Sequence, residues 1–262
     1  VLAELHMALR SGKRSFIQLQ LRAQQVWSQF TDALFPPRCG GCQAEGQLWC
    51  EMCRASVVPV HAPLCLKCGT PDVPDQLCAA CRTQPLQIEM IRSAALFRGP
   101  LREAIHRFKY QRLSGLAPLL GDLIADRWLE LDLQADWILP VPLHPARQRE
   151  RGYNQSELLA KRLAHRVGVP LSPAGLKRTR VTAVQMELNA AQRKVNVAGA
   201  FECVDRRVRD KRVVIVDDVC TTGATLDACA EALLTAGAAS VVGLTLARTA
   251  FGDSAPDQGE RK

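Results

Sequence analysis

Two constellations in the chain have residue types and spacings that could do chemistry. The first is Asp217-Asp218 followed closely by Thr221-Thr222-Gly223-Ala224-Thr225. Adjacent carboxylates accept hydrogen bonds from sugar hydroxyls. Threonine hydroxyls and backbone amides at a helix start, loosened by a glycine, cradle a phosphate. The combination suits a sugar phosphate, with ribose hydroxyls on the acids and the 5′-phosphate on the turn. Helix capping asks for only one Asp or Ser ahead of the helix, and leaves the second acid and three threonines unexplained. The second constellation is four Cys-x-x-Cys pairs, Cys39/Cys42, Cys50/Cys53, Cys65/Cys68 and Cys78/Cys81, eight cysteines within 43 residues. Each such turn aims two thiolates at one tetrahedral ion, so the spacing reads as zinc held by four cysteines. Sequential pairing puts one zinc on Cys39, Cys42, Cys50 and Cys53 and another on Cys65, Cys68, Cys78 and Cys81. Crossed pairing, disulfides and an iron–sulfur cluster are the alternatives.

The acids need a rigid support. Val213-Val214-Ile215-Val216 is a run of four aliphatics, three of them valine, which suits a strand buried on both faces in the middle of a parallel sheet. The Asp pair then falls at the carboxyl end of that strand, the edge where open α/β sheets bind ligands. Leu226, Ala230, Leu233 and Leu234 predict the helix that follows the threonine turn.

In chain order, Phe16, Leu19, Val26, Trp27, Phe30 and Leu34 recur at helical spacing, predicting an amphipathic helix within residues 1–35 that Pro36-Pro37 ends. Residues 36–85 hold the cysteine pairs and few large apolar side chains. Burial alone would not fold such a segment, whereas structural zinc supplies on the order of 10–16 kcal/mol to small modules. Residues 86–250 are expected to form one α/β domain, and 251–262 a disordered tail. Within the domain, Ser93 to Phe97 reads as a strand, Leu101, Ile105 and Phe108 as one helix, and Leu116 to Ile124 as a second. Trp137 to Pro142 is a further strand, followed by a loop with Arg147, Arg149 and Arg151. Guanidinium forks bind phosphate oxygens bidentately, so these three arginines are candidates for pyrophosphate, with Lys109 a secondary candidate. The polar stretch from Lys177 to Asn196 reads either as a disordered segment or as a long functional loop whose Arg178, Arg180, Thr182, Gln185 and Arg193 close over substrate. Cys220, at a helix start, is a candidate reactive thiolate, and Cys203 and Cys229 are small apolar fillers.

The net charge of +8 favours anionic partners, polyphosphates or nucleic acid. No apolar run reaches the length of a membrane span, and the first residues lack a signal peptide's apolar core. The expected location is therefore the cytoplasm.

From Val213 to Thr225 the block resembles the phosphoribosyl-pyrophosphate (PRPP) motif of type I phosphoribosyltransferases, with Cys220 where an aliphatic residue is more usual. More widely, the series of cysteine pairs, Phe97-Arg98-Gly99-Pro100-Leu101, Phe108-Lys109-Tyr110, Pro140-Val141-Pro142, Arg151-Gly152-Tyr153-Asn154-Gln155 and the Asp-Asp block resembles the ComF/GntX family over about residues 30 to 248. The resemblance implies a type I phosphoribosyltransferase-like parallel sheet flanked by helices, with a small N-terminal Cys-rich zinc-ribbon domain. It implies PRPP as substrate, Mg²⁺ bound with it, and Asp217 and Asp218 as catalytic residues. Thr221, Thr222, Gly223, Ala224 and Thr225 would bind the 5′-phosphate, and the acceptor is undefined. The family is linked to competence, DNA uptake and nutrient use. A reading from another class is a non-catalytic competence factor that uses the fold as a PRPP sensor or scaffold and contacts single-stranded DNA or the DNA-uptake machinery. Against it stands an aromatic content of only 5%, since single-strand binders stack bases on aromatic side chains.

Overall fold

A computed structural model describes residues 36–172, 174–180 and 190–250. The amphipathic helix expected within 1–35 and the tail expected at 251–262 lie outside the described residues. Four parallel strands make the main sheet in the order β1-β6-β5-β2, with β1 at Met90–Leu96, β2 at Trp137–Pro140, β5 at Arg212–Cys220 and β6 at Ser240–Arg248. A second, antiparallel pair joins β3 (Leu176–Arg178) to β4 (Phe201–Cys203).

β5 is central because both of its faces are apolar. Val214 and Val216 belong to one buried cluster with helices α3 (Gly99–Tyr110), α4 (Ala117–Glu130) and α6 (Gln155–Val167). Val213 and Ile215 belong to the other, with α8 (Ala224–Thr235) and the β3-β4 pair. Burial of about 1.5–3 kcal/mol per large aliphatic side chain on each face fixes the strand's place and register. The remaining helices are short: α1 (Glu51–Ala55), α2 (Ala79–Thr83), α5 (Pro145–Arg151) and α7 (Ala190–Val197).

Both edges of the sheet are covered, which removes a template for edge-to-edge association. Val58 to Val60 lies antiparallel to β1, with Leu96 N–H donating to the Val58 carbonyl at 2.8 Å and Val60 N–H to the Ala94 carbonyl at 3.2 Å. On the far side, the Ile138 amide donates to the Pro170 carbonyl at 2.9 Å. The cysteine-rich segment thus packs directly on the sheet: Cys39, Trp49 and Cys53 share the core cluster of α3 and α4.

Three local expectations change. β5 runs three residues past Val216-Asp217, to Cys220, so both acids sit inside the strand and not beyond its end. The loop expected between Leu143 and Gln155 contains α5, because His144 caps it through Nδ1 accepting from the Ala146 amide at 3.2 Å and Pro145 starts it. The polar stretch from Lys177 to Asn196 opens with the end of β3 and closes in α7. Strands of three residues are too short for alternation to register in a sequence.

Candidate functional site

The carboxyl ends of β5 and β2 lie side by side, Val141 N–H donating to the Val216 carbonyl at 2.9 Å. Because side chains alternate along a strand, Asp217 and Asp218 leave β5 toward opposite faces. Asp217 Oδ1 accepts from Ser156 Oγ at 2.8 Å and from the Asp218 amide at 2.9 Å. Desolvation, and then the charge of Asp218, push the Asp217 carboxyl up to about 7, against the pull of Ser156, Lys109 and the Asp218 amide. Asp218 is only 3% exposed; its Oδ1 meets Lys109 Nζ at 2.7 Å, while among the described residues its buried Oδ2 has no hydrogen-bond partner. An orphaned buried carboxylate oxygen is costly, and a ligand hydroxyl would satisfy it.

The threonine turn follows at once. Gly223 adopts φ +83°, which favours glycine, and a Cβ there would stand 2.7 Å from Ile91 Cδ1. From this left-handed residue α8 starts without a side-chain cap. The Ala224 amide donates to Thr222 Oγ1 at 3.4 Å. Among the described residues neither the Thr221 nor the Thr222 amide donates to a backbone or side-chain acceptor. Unsatisfied amides at a helix start form an anion cradle. Burial raises the Cys220 thiol, so the expectation of a reactive thiolate there is corrected: the residue is 3% exposed and lies in the buried cluster.

The three arginines after β2 lie on a helix and divide between its sides. On the helix α5, Arg147 and Arg151 are a turn apart on one side and Arg149 points away from them. Arg147 and Arg151 are half-buried and Arg149 is exposed. The Arg151 guanidinium stacks 5.0 Å over the Tyr110 ring. Arg178 at the end of β3 comes to the same edge: burial lowers its pKa, Cys229 and Asp217 oppose the shift, and Arg147 adds to it. Arg178 also stacks on the Phe201 ring at 5.4 Å. Arg180, by contrast, donates to the Asn196 carbonyl at 3.0 Å and the Ala198 carbonyl at 2.8 Å, closing the base of the segment between β3 and β4. Thr182, Gln185 and the side chain of Arg193 lie outside the described residues.

Tyr153 and Asn154, quoted above only as part of the family motif, and Ser156, which was not singled out, join this edge. Asn154 caps α6, accepting from the Ser156 amide at 3.1 Å and donating to the Val141 carbonyl at 3.0 Å, which pins the helix start to the end of β2. Tyr153 OH donates to the Phe108 carbonyl, holding the end of α3, and therefore Lys109, beside β5. The sequence signal was Asn154-Gln155-Ser156-Glu157, a helix-start pattern with an acid at the third helical position.

The eight paired cysteines form two quartets, Cys39/Cys42/Cys50/Cys53 and Cys65/Cys68/Cys78/Cys81, each with all ligand atoms within 4.8 Å of one another. The pairing is sequential, and all are free thiols. Sulfur separations of 3.6 Å for Cys42–Cys50 and 3.7 Å for Cys68–Cys78 fit the edge of a tetrahedron with Zn–S near 2.3 Å, about 3.8 Å. They are far too long for a disulfide. In each quartet an amide supports a sulfur, Cys50 N–H on Cys39 Sγ and Cys78 N–H on Cys65 Sγ, both at 3.4 Å. Burial works to raise the first cysteine of each quartet, but the surrounding amides outweigh it and hold Cys39 and Cys65 down to about 6. Burial instead raises Cys53, Cys78 and Cys81, and it is the tetrahedral spacing of the sulfurs that makes the quartets structural zinc sites.

Among the described residues no helix is long and apolar enough to cross a membrane. Comparison with known proteins matches a double zinc ribbon domain to residues 30–82 and a phosphoribosyl transferase domain to residues 154–259. The DNA utilization protein YhgH of Salmonella typhimurium is 37% identical over 207 residues, 76% of this chain and 90% of that protein. Competence protein F of Haemophilus influenzae is 31% identical over 208 residues, again 76% and 90% of the two chains. Competence protein ComFC of Bacillus subtilis is 27% identical over 76% of this chain and 84% of its own. With paired four-cysteine sites packed on a parallel sheet that ends in two carboxylates and a threonine turn, the chain belongs to the ComF/GntX family of phosphoribosyltransferase-like proteins.

Proposed function

We propose that the edge formed by β5, β2 and the start of α8 binds PRPP and transfers its phosphoribosyl group to an acceptor, releasing pyrophosphate. The observation that carries this reading is the juxtaposition of an unpartnered buried oxygen, Asp218 Oδ2, with a helix start whose Thr221 and Thr222 amides have no acceptor among the described residues. Asp217 and Asp218 accept the ribose hydroxyls, and Thr221 to Thr225 seat the 5′-phosphate. Arg147, with Arg151 on the same face of α5, takes the pyrophosphate, and Arg149 faces away. Lys109, bound to Asp218, orients that carboxylate. In the transfer, the acceptor's lone pair forms the bond to the anomeric carbon as the bond to pyrophosphate breaks, and the leaving group takes the electron pair. Oriented cations stabilise that leaving charge most effectively in a site already arranged for it.

The carboxylates fit Mg²⁺ as partners of a substrate-borne ion. Among the described residues only the two cysteine quartets gather three or more metal-binding side chains. Mg²⁺ commonly keeps several waters and binds through one or two carboxylates plus substrate phosphates. When bound it supplies charge neutralisation at the leaving pyrophosphate. Relatives named for DNA utilization and for competence support a role for the reaction in the use of DNA taken up by the cell. The test is calorimetry of zinc-loaded protein with PRPP and Mg²⁺, then pyrophosphate release with pooled nucleobases and amines. Asp217→Asn with Asp218→Asn abolishes binding; absence of PRPP affinity in the intact protein removes the proposal.

A further inference from the structure

The second zinc site is built differently from the first. Two arginines lie against it, Arg92 at 9% and Arg248 at 2% exposure, and among the described residues neither forms an ion pair with a carboxylate. Arg92 Nη1 donates to the Leu66 carbonyl at 3.1 Å and the Cys65 carbonyl at 3.5 Å. Arg248 Nη1 donates to the Cys68 carbonyl, and Nη2 donates to Thr70 Oγ1 at 2.8 Å. Thr70 Oγ1 in turn stands 3.0 Å from Cys68 Sγ. Arginine can only donate, so the Thr70 hydroxyl accepts from Arg248 and its own proton is left for the Cys68 sulfur. Burying a guanidinium without a counter-charge is expensive. Four thiolates around a divalent ion leave a surplus of two negative charges, which two guanidiniums balance. Among the described residues the first site has no such arrangement. Cys42 is exposed and Cys50 half-exposed, and the nearby Arg107, which donates to the Gly40 and Gly41 carbonyls, has Glu103 at 3.9 Å.

Arg248 also stands at the phosphate turn. It is the register partner of Cys220 across β5 and β6, and the next amide, Thr249, donates to the Cys220 carbonyl at 3.1 Å. Gly223 packs on Ile91, whose amide donates to the Lys67 carbonyl of the second ribbon at 2.7 Å and whose carbonyl is so near Gly69 that a Cβ there would lie 2.3 Å away.

We propose that Thr70 and Arg248 are positioning residues that tie the phosphate turn to the second zinc site, so that zinc on Cys65, Cys68, Cys78 and Cys81, and not zinc on the first quartet, keeps residues 220–226 ordered. A hydrogen bond to a ligating sulfur typically contributes 10–100-fold to metal affinity. In a chelator-driven release experiment on the full zinc-loaded chain, two zinc ions leave in separate phases. Thr70→Val speeds one phase about tenfold or more and leaves the other unchanged, and Thr70→Ser, which keeps the hydroxyl, restores the slow rate. Amide exchange at 220–226 rises in step with the accelerated phase. Arg248→Lys, which keeps the charge and loses the fork, gives an intermediate rate. Unchanged phases in Thr70→Val, equal acceleration of both, or exchange at 220–226 indifferent to zinc release each overturn the proposal. Exchange and metal release need no PRPP, so they read this coupling whether or not the edge binds that substrate.

Discussion

The two kinds of site in this chain are assembled on opposite principles. Each cysteine quartet draws its ligands from a span of 15 or 17 residues, Cys39 to Cys53 and Cys65 to Cys81. The carboxylate edge draws on Lys109, Arg147, Ser156, Arg178 and Asp217 to Thr225, which come together only when the sheet forms. Ligation can therefore fold a ribbon locally, whereas the edge exists only as a property of the whole domain. The difference predicts where each kind of damage spreads.

The largest effect follows from removing metal. Structural zinc supplies on the order of 10 kcal/mol to modules of this size, several times the roughly 2–5 kcal/mol lost when a buried aliphatic such as Ile215 is cut to alanine. A strong chelator is expected to abolish amide protection across 39–81 and to lower the melting temperature of the full chain, because Val58 to Val60 covers β1. Ile215→Ala should instead lower the melting temperature while leaving both zinc ions bound. A chelated chain that keeps its protection at 39–81 would break the contrast between ligation and burial.

The same difference decides what could be read without a structure. Cys-x-x-Cys turns declare their chemistry in four residues, and the aliphatic run at Val213 to Val216 declares a buried strand, so the ribbons and the centre of the sheet were legible. The Asp pair was legible as two acids following a buried strand, but its division between two faces was not, because nothing in Asp217-Asp218 says that β5 continues to Cys220. Lys109 looked like a phosphate ligand on charge alone; its pairing with Asp218 at 2.7 Å depends on Tyr153 holding the end of α3, a contact across 45 residues. The arginines at 147, 149 and 151 looked equivalent until a helix separated them. Buried Arg92 and Arg248 carried no local signal, since their counter-charge is a metal site elsewhere in the chain.

Second in size is the Lys109–Asp218 pair. Removing one partner of a buried ion pair leaves the other charge uncompensated, and with Lys109 20% and Asp218 5% exposed the cost of Lys109→Met should be about 2–3 kcal/mol, the lower end for buried pairs. Urea midpoints measure it, and adding Asp218→Asn to Lys109→Met should recover part of the loss. An unchanged midpoint would mean that the edge, like the ribbons, is held by local structure.

Third, the helical arrangement of α5 separates two arginines that are identical in sequence terms. A charge-assisted hydrogen bond contributes roughly 1.5–3 kcal/mol, so Arg147→Ala should weaken pyrophosphate or PRPP binding about tenfold or more, and Arg149→Ala by less than about twofold. Titration calorimetry on both variants tests this. Equal losses would show that charge near the edge matters and position does not, which would undo the geometric part of the contrast.

The smallest effect is the subtlest, because stability and binding should move in opposite directions as pH rises. The Asp217 carboxyl, ordinarily near 3.8, is raised to about 7 in the folded chain, so between those values the folded state holds a proton that the unfolded state has released. Its contribution to stability is fully present below the unfolded value and is lost as pH climbs through the folded one. Accepting a ribose hydroxyl favours the ionised carboxylate, so ligand affinity should increase over the same interval. Between pH 6 and pH 8 the ionised fraction of a group titrating near 7 goes from about a tenth to about nine-tenths, which limits the gain in PRPP affinity to roughly tenfold. Calorimetry at the two pH values with urea melts alongside resolves both slopes, and Asp217→Asn should flatten both in this interval. The ribbons add a slope of the opposite sign, because thiolates that lose zinc on unfolding take up protons, so both slopes are read as differences between the parent chain and Asp217→Asn. If stability and affinity rise together, the carboxylate is paired within the protein and not reserved for a ligand, and the edge is then built like the ribbons, complete in itself.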